Sequence, residues 1–105
     1  MNSLARTKYT NELRAEFLSK SENESFARMI AASFIAPLDP TIEELSDIRT
    51  AVSEAVTNAI VHGYGDKKGY VYLECYSQDD DVTIVVKDYG KGIEDVAKAR
   101  EPMFT

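Results

Sequence analysis

The sequence predicts an α+β fold, a two-layer sandwich with helices packed on one face of a mostly antiparallel sheet. Three observations carry that prediction. Two apolar patterns with three- and four-residue spacing occupy residues 21–63, two alternating runs occupy residues 70–77 and 81–88, and a short acidic segment joins those runs. With 105 residues the chain makes one domain, long enough to bury roughly two thirds of the surface its unfolded form exposes. Residues 1–10 are polar and unpatterned and are expected to form a flexible arm, leaving residues 11–105 as the single domain.

In the run NELRAEFL, Leu13, Ala15 and Phe17 share one side, which fits a short strand better than a helical turn. The segment SENESFARMIAASFIAPLD opens with a capping pair, Ser21 and Glu24. It spaces Phe26, Met29, Ile30, Ser33 and Phe34 as the buried stripe of a helix ended by Pro37. Thr41 and Glu44 repeat the capping signature directly after Pro40 and start a second helix. Its stripe is Leu45, Ile48, Val52, Ala55 or Val56, Ala59 and Ile60, and Gly63 supplies the stop. Three glycines in GYGDKKG turn the chain, and YVYLECYS and DVTIVVKD then form an antiparallel hairpin around QDDD. Alternation sets Val82, Ile84, Val86 and Asp88 on one side, so a line of core residues ends in a carboxylate. Beyond it, YGKGI reads as a glycine turn and EDVAKAREPMF as a short helix stopped by Pro102.

Composition narrows the function classes. Eighteen acidic residues against twelve basic give a net charge of −6, the wrong sign for gripping phosphate backbones, so no direct nucleic-acid contact is expected and a partner with a basic surface fits better. No apolar run approaches the roughly 20 residues of a membrane span. The opening MNSLARTKYTNELRAEF lacks the apolar stretch of a signal peptide, and the single Cys75 has no internal partner. A cytoplasmic protein is expected. Cys75 lies on the apolar side of its strand with Val71 and Leu73 and reads as packing.

Chemistry-bearing residues fall in two places. Glu54, Asn58 and His62 follow one another at four-residue spacing along the second helix, beside its buried stripe. Such a row fits a boundary satisfied by local hydrogen bonds. It also fits a site in which Glu54 is a base and Asn58 offers its amide oxygen to magnesium, a cation that needs few protein ligands. His62, in the last turn, reads as a helix-end residue. The second place is Asp88-Tyr89-Gly90-Lys91-Gly92, where a carboxylate ends a strand and two glycines allow a tight turn. A carboxylate there can accept a hydrogen bond from an exocyclic amine such as that of adenine.

The order of the two features, an E-x-x-x-N helix, a hairpin and a strand ending in D-x-G-x-G, resembles the ATP-binding superfamily of gyrase, Hsp90, histidine kinases and MutL. SENESFAR, LDPTIEELSDI, SEAVTNAIVHGY and AREPMFT narrow the resemblance to the sporulation anti-sigma F factor family, from about Leu13 to Thr105. The resemblance implies Glu54 as catalytic base, Asn58 as the magnesium and nucleotide ligand, and Asp88, Gly90 and Gly92 as nucleotide-binding residues, with ATP and magnesium as cofactors. It implies a protein that inhibits a sporulation sigma factor and phosphorylates a serine of an anti-anti-sigma protein. Family members continue past AREPMFT into a lid, a glycine-rich phosphate box, a helix and further strands, so the domain is expected to be incomplete at its C-terminus.

Self-association or a partner is then expected to mask exposed sheet edges, giving a homodimer. Tyr70, Tyr72 and Tyr76 on one strand face offer a dimer surface. Arg28, expected to be exposed on the first helix, is the docking candidate. Two alternatives stand beside the kinase: a sigma-binding module without catalysis, and a relative among the general-stress anti-sigma kinases. A histidine-kinase ATPase domain fits less well, because the segment before the first helix is short and lacks a histidine.

Overall fold

Alternation along the hairpin decides the architecture. Val71, Leu73, Cys75 and Ser77 of one strand and Val82, Ile84, Val86 and Asp88 of the next are all buried, while the residues between them face outward. The computed structural model describes residues 8–65, 67–90 and 94–99. The elements run β1 (Asn11–Leu18), α1 (Glu24–Ile35), α2 (Ile42–Asn58), β2 (Tyr70–Gln78), β3 (Asp81–Asp88) and β4 (Glu94–Ala99). The strands form one antiparallel sheet in the order β1-β2-β3-β4. Both helices lie between β1 and β2 in sequence and cover the inner face of the sheet, as the sequence predicts.

Helix α2 starts where its capping signature sets it. The Thr41 hydroxyl accepts the Glu44 amide at 3.0 Å and the Glu44 carboxylate accepts the Thr41 amide at 2.8 Å, a reciprocal cap in which the hydroxyl contributes about 1 kcal/mol. Its buried residues are Ile48, Val52, Ala55 and Val56, followed by Ala59, and Leu45 and Ile60 pack half-buried beside them. Leu73 and Ile84 meet them from the sheet, each contributing roughly 1.5–3 kcal/mol by leaving water.

Four expectations need correction. Helix α1 does not start on a Ser21–Glu24 capping pair: Ser21–Asn23 is a 3-10 turn, the helix begins at Glu24, and its cap Asn23 makes no side-chain cap bond. The Glu24 carboxylate instead accepts a hydrogen bond from the Ser53 hydroxyl, tying α1 to α2, and pairs with Arg28. The buried face of α1 is Ala27, Ala31, Phe34 and Ile35, whereas Phe26 and Met29 are 57% and 65% exposed. Small residues at Ala27 and Ala31 permit close helix packing, and the bulky pair is turned outward. Gly63 does not stop the second helix, because the chain continues past Asn58 as a π turn, Ala59–Tyr64. Finally, Glu94–Ala99 is not helical: it pairs with β3, from Val82 opposite Ala99 to Lys87 opposite Glu94. The unpaired backbone groups along β3 outweigh the helix preference of EDVAKA, a segment too short to form a stable helix by propensity alone. The rest of that segment, with Pro102, lies outside the described residues.

At the other edge, Thr10 extends the β1 pairing through its amide to the Ser77 carbonyl (2.8 Å), and its hydroxyl accepts the Asp79 amide. Tyr9 stacks on Tyr76 at 4.6 Å between ring centres.

Candidate functional site

Four-residue spacing puts Glu54 and Asn58 one turn apart on α2, both exposed beside the buried Ala55. They line one cleft of about 170 Å³. Its floor is Ile84 and Val86 of β3, and Val96 and Ala97 of β4 form the far wall. The inward line of β3 continues past Val86 to Asp88, about 7 Å further along the strand, where it is buried at 1% exposure opposite Val71. The structure thus groups Glu54 with Asn58 on the cleft, whereas Asp88 lies beyond it at the end of β3, against Gly63 of the π turn that follows Asn58. Gly90 follows in the turn, and Gly92 lies outside the described residues. His62 is exposed in the π turn.

Asp88 can be buried because of Gly63. An added Cβ at Gly63 would lie 2.6 Å from the Asp88 carboxylate, so any side chain there would push the acid out of place. A π turn inserts extra residues into the helix and changes which of them face the sheet, and here it brings a bare backbone against the strand end. The sequence signal was the HGY triplet after the asparagine, and periodicity reduced it to a helix stop.

A second groove, of about 480 Å³, lies between α1 and α2 and is lined by Arg28, Arg49, Ser46, Thr50 and Ser53, with Glu54 at its margin. Arg28 is half-buried. Its Nε lies 2.9 Å from Glu24 Oε2, but the N–H is not aimed along that line and makes no hydrogen bond. A groove with two arginines stands out on an acidic chain. Burial pushes the Cys75 thiol up to about 12, so it stays protonated and serves packing.

Among the described residues no group of three or more His, Cys, Asp or Glu is placed to hold a metal ion. The side-chain oxygen donors on the cleft are the Glu54 carboxylate and the Asn58 amide, hard ligands of the kind that suit magnesium when phosphate and water oxygens complete the shell. No helix among the described residues is long and apolar enough to cross a membrane.

Helices over one face of an antiparallel sheet, with Glu54 and Asn58 on a cleft beside a strand that ends in a buried aspartate, agree with the sequence comparisons. The profile of the histidine kinase-like ATPase domain matches residues 17–104. The chain belongs to that family. Within it, the chain is 58% identical over 97 residues to the anti-sigma F factor of Thermoanaerobacter sp. (strain X514), covering 92% of this chain and 68% of the relative. It is 57% identical over 96 residues to that of Clostridium novyi (strain NT), covering 90% and 67%. To that of Clostridium perfringens (strain SM101 / Type A) it is 58% identical over 96 residues, covering 90% and 69%. The family resemblance expected from the motifs is thus upheld, and the chain spans about two thirds of the length of these relatives.

Proposed function

We propose that the protein is a sporulation anti-sigma factor that binds a sigma factor and, with Mg-ATP, phosphorylates a serine on an anti-anti-sigma protein. The observation that carries this reading is the shared cleft, in which α2 offers a carboxylate and an amide one turn apart over a strand that leads to a buried aspartate. The anti-sigma F factor relatives support the sigma antagonism.

In this reading Glu54 accepts the proton of the serine hydroxyl as its oxygen bonds to the γ-phosphorus of ATP, the bond from that phosphorus to the β,γ-bridging oxygen breaks, and ADP leaves. Asn58 holds the cation, which supplies charge neutralisation on the phosphates when bound. Asp88 accepts a hydrogen bond from the adenine amine, and Gly90 and Gly92 let the nucleotide approach the backbone. Arg28 docks protein partners through their carboxylates, from the groove it shares with Arg49. The active unit is a homodimer in the cytoplasm.

Glu54→Gln keeps the shape of the side chain and removes its basicity. Phosphate transfer from ATP to the anti-anti-sigma serine should fall by roughly 10²–10⁴-fold with ATP affinity unchanged. Transfer at near the unmodified rate would remove Glu54 as the base.

A second reading, a sigma-binding module without catalysis, is favoured by the size of the cleft. At about 170 Å³ it is below the roughly 300 Å³ of small ligand pockets. Sigma binding without measurable ATP binding by the unmodified chain would select that reading.

A further inference from the structure

Tyr64 is the side chain at which three separate segments meet. It lies half-buried at the end of the π turn that follows Asn58. Its hydroxyl donates to the Tyr70 carbonyl at 2.7 Å, where β2 begins, and accepts the Tyr89 amide at 2.9 Å, in the residue after Asp88. Its ring fills the space between two bare backbones, since a Cβ added at Gly69 or at Gly90 would run into it. The Gly90 backbone also rests against the Gly63 carbonyl. One phenol thus joins the helix that carries Asn58, the first residue of β2 and the turn that leaves Asp88.

We infer that Tyr64 is a positioning residue for the nucleotide site, holding the turn after Asp88 in fixed register with the Asn58 helix. The inference rests on the nucleotide reading of that site. Asn58 sits near one end of a nucleotide and Asp88 near the other, on elements that are not neighbours in sequence. Binding both ends at once requires their spacing to be set beforehand, because a drifting turn costs ordering energy each time a ligand binds. Tyr64 supplies that constraint through two hydrogen bonds, and Phe at this position would keep the ring while releasing the Tyr89 amide and the Tyr70 carbonyl.

The test is competition of unlabelled ATP and GTP against a fluorescent methylanthraniloyl-ATP probe on the full chain, with amide hydrogen exchange measured in parallel. In Tyr64→Phe, ATP affinity should fall roughly three- to tenfold, about 0.7–1.4 kcal/mol at 1.4 kcal/mol per tenfold. The preference for ATP over GTP should fall with it, because adenine offers Asp88 a donor amine at C6 where guanine has an acceptor carbonyl, and exchange of the Tyr89 amide should rise. Gly69→Ala strikes the same ring from the β2 side, outside the site, and should lower the ATP preference in the same direction. An unchanged ATP-to-GTP ratio in both variants overturns the inference, as does an equal loss for both nucleotides accompanied by a lower melting temperature, the mark of a purely structural residue. If the unmodified chain fails to bind the probe, or ATP fails to displace it, the nucleotide reading itself falls, whatever the variants do.

Discussion

Arg28 illustrates how much one residue owes to its neighbours. Its period on α1 predicts an exposed cation, and the structure makes it half-buried beside Glu24, which also takes the Ser53 hydroxyl. Glu24, itself tied to α2 through Ser53, confines this guanidinium before any partner arrives, which lowers the entropy cost of docking. Arg28→Glu should weaken binding of an anti-anti-sigma protein at least tenfold by calorimetry while leaving ATP affinity unchanged. Equal binding by the variant would exclude Arg28 from the interface. Gly63 teaches a related point. Its importance comes from the Asp88 carboxylate that lies where its Cβ would be, a contact between residues 25 positions apart that no local pattern encodes.

Among the elements, the outer face of the sheet is tied together by polar side chains. The Tyr76 hydroxyl donates to Glu74 at 2.7 Å, and Lys87 lies 3.3 Å from the same carboxylate. Burial alone would raise the Glu74 acid, but the Tyr76 and Lys87 hydrogen bonds and the Lys87 charge outweigh it and hold the carboxyl below its ordinary value near 4.5. A depressed folded-state value means that the stabilisation is present above the unfolded value and is lost as pH falls through the folded one. Urea unfolding at pH 7 and pH 3 should therefore show a smaller acid loss of stability in Glu74→Gln than in the unmodified chain. Identical losses would show that the pair is inert.

Strand β4 is the element most exposed to revision by a ligand. Val96 and Ala97 wall the cleft, and β3 would lose only edge pairing if β4 moved away. Mg-ATP should speed hydrogen exchange of β4 amides while β2 and β3 stay protected. Slower exchange throughout β4 would mean that the nucleotide binds without displacing it.

For the molecule as a whole, a wide apolar groove among the described residues lies where β1 meets α1, lined by Leu13, Phe26, Met29, Ile30, Phe34 and Pro37. It adjoins the edge of β1 that no described strand pairs, so a second copy can cover both the groove and the edge with one symmetric contact. The tyrosine face competes poorly for that role. Tyr76 is covered by Tyr9 and Arg14, and Tyr72 packs on Tyr89 at 5.0 Å. Phe26→Glu should shift sedimentation from dimer to monomer, whereas Tyr72→Glu should not. The reverse result would move the interface to the sheet face.

Residue order was enough to mark the second helix with its cap, the hairpin with its inward line ending at Asp88, and the pairing of Glu54 with Asn58. Those features depend on local hydrogen bonds and on period, which the chain encodes directly. The first helix was harder, because Ala27, Ala31, Phe34 and Ile35 have the same three- and four-residue spacing as Phe26, Met29, Ile30, Ser33 and Phe34. Only packing against α2 and the sheet chooses between the two faces. Likewise β4 takes its conformation from the open edge of β3, and the roles of Gly63 and Tyr64 arise from contacts with Asp88, Tyr70 and Tyr89. Spacing along the chain identified the groups that can do chemistry. Steric and hydrogen-bonding contacts between distant segments decided how those groups are held.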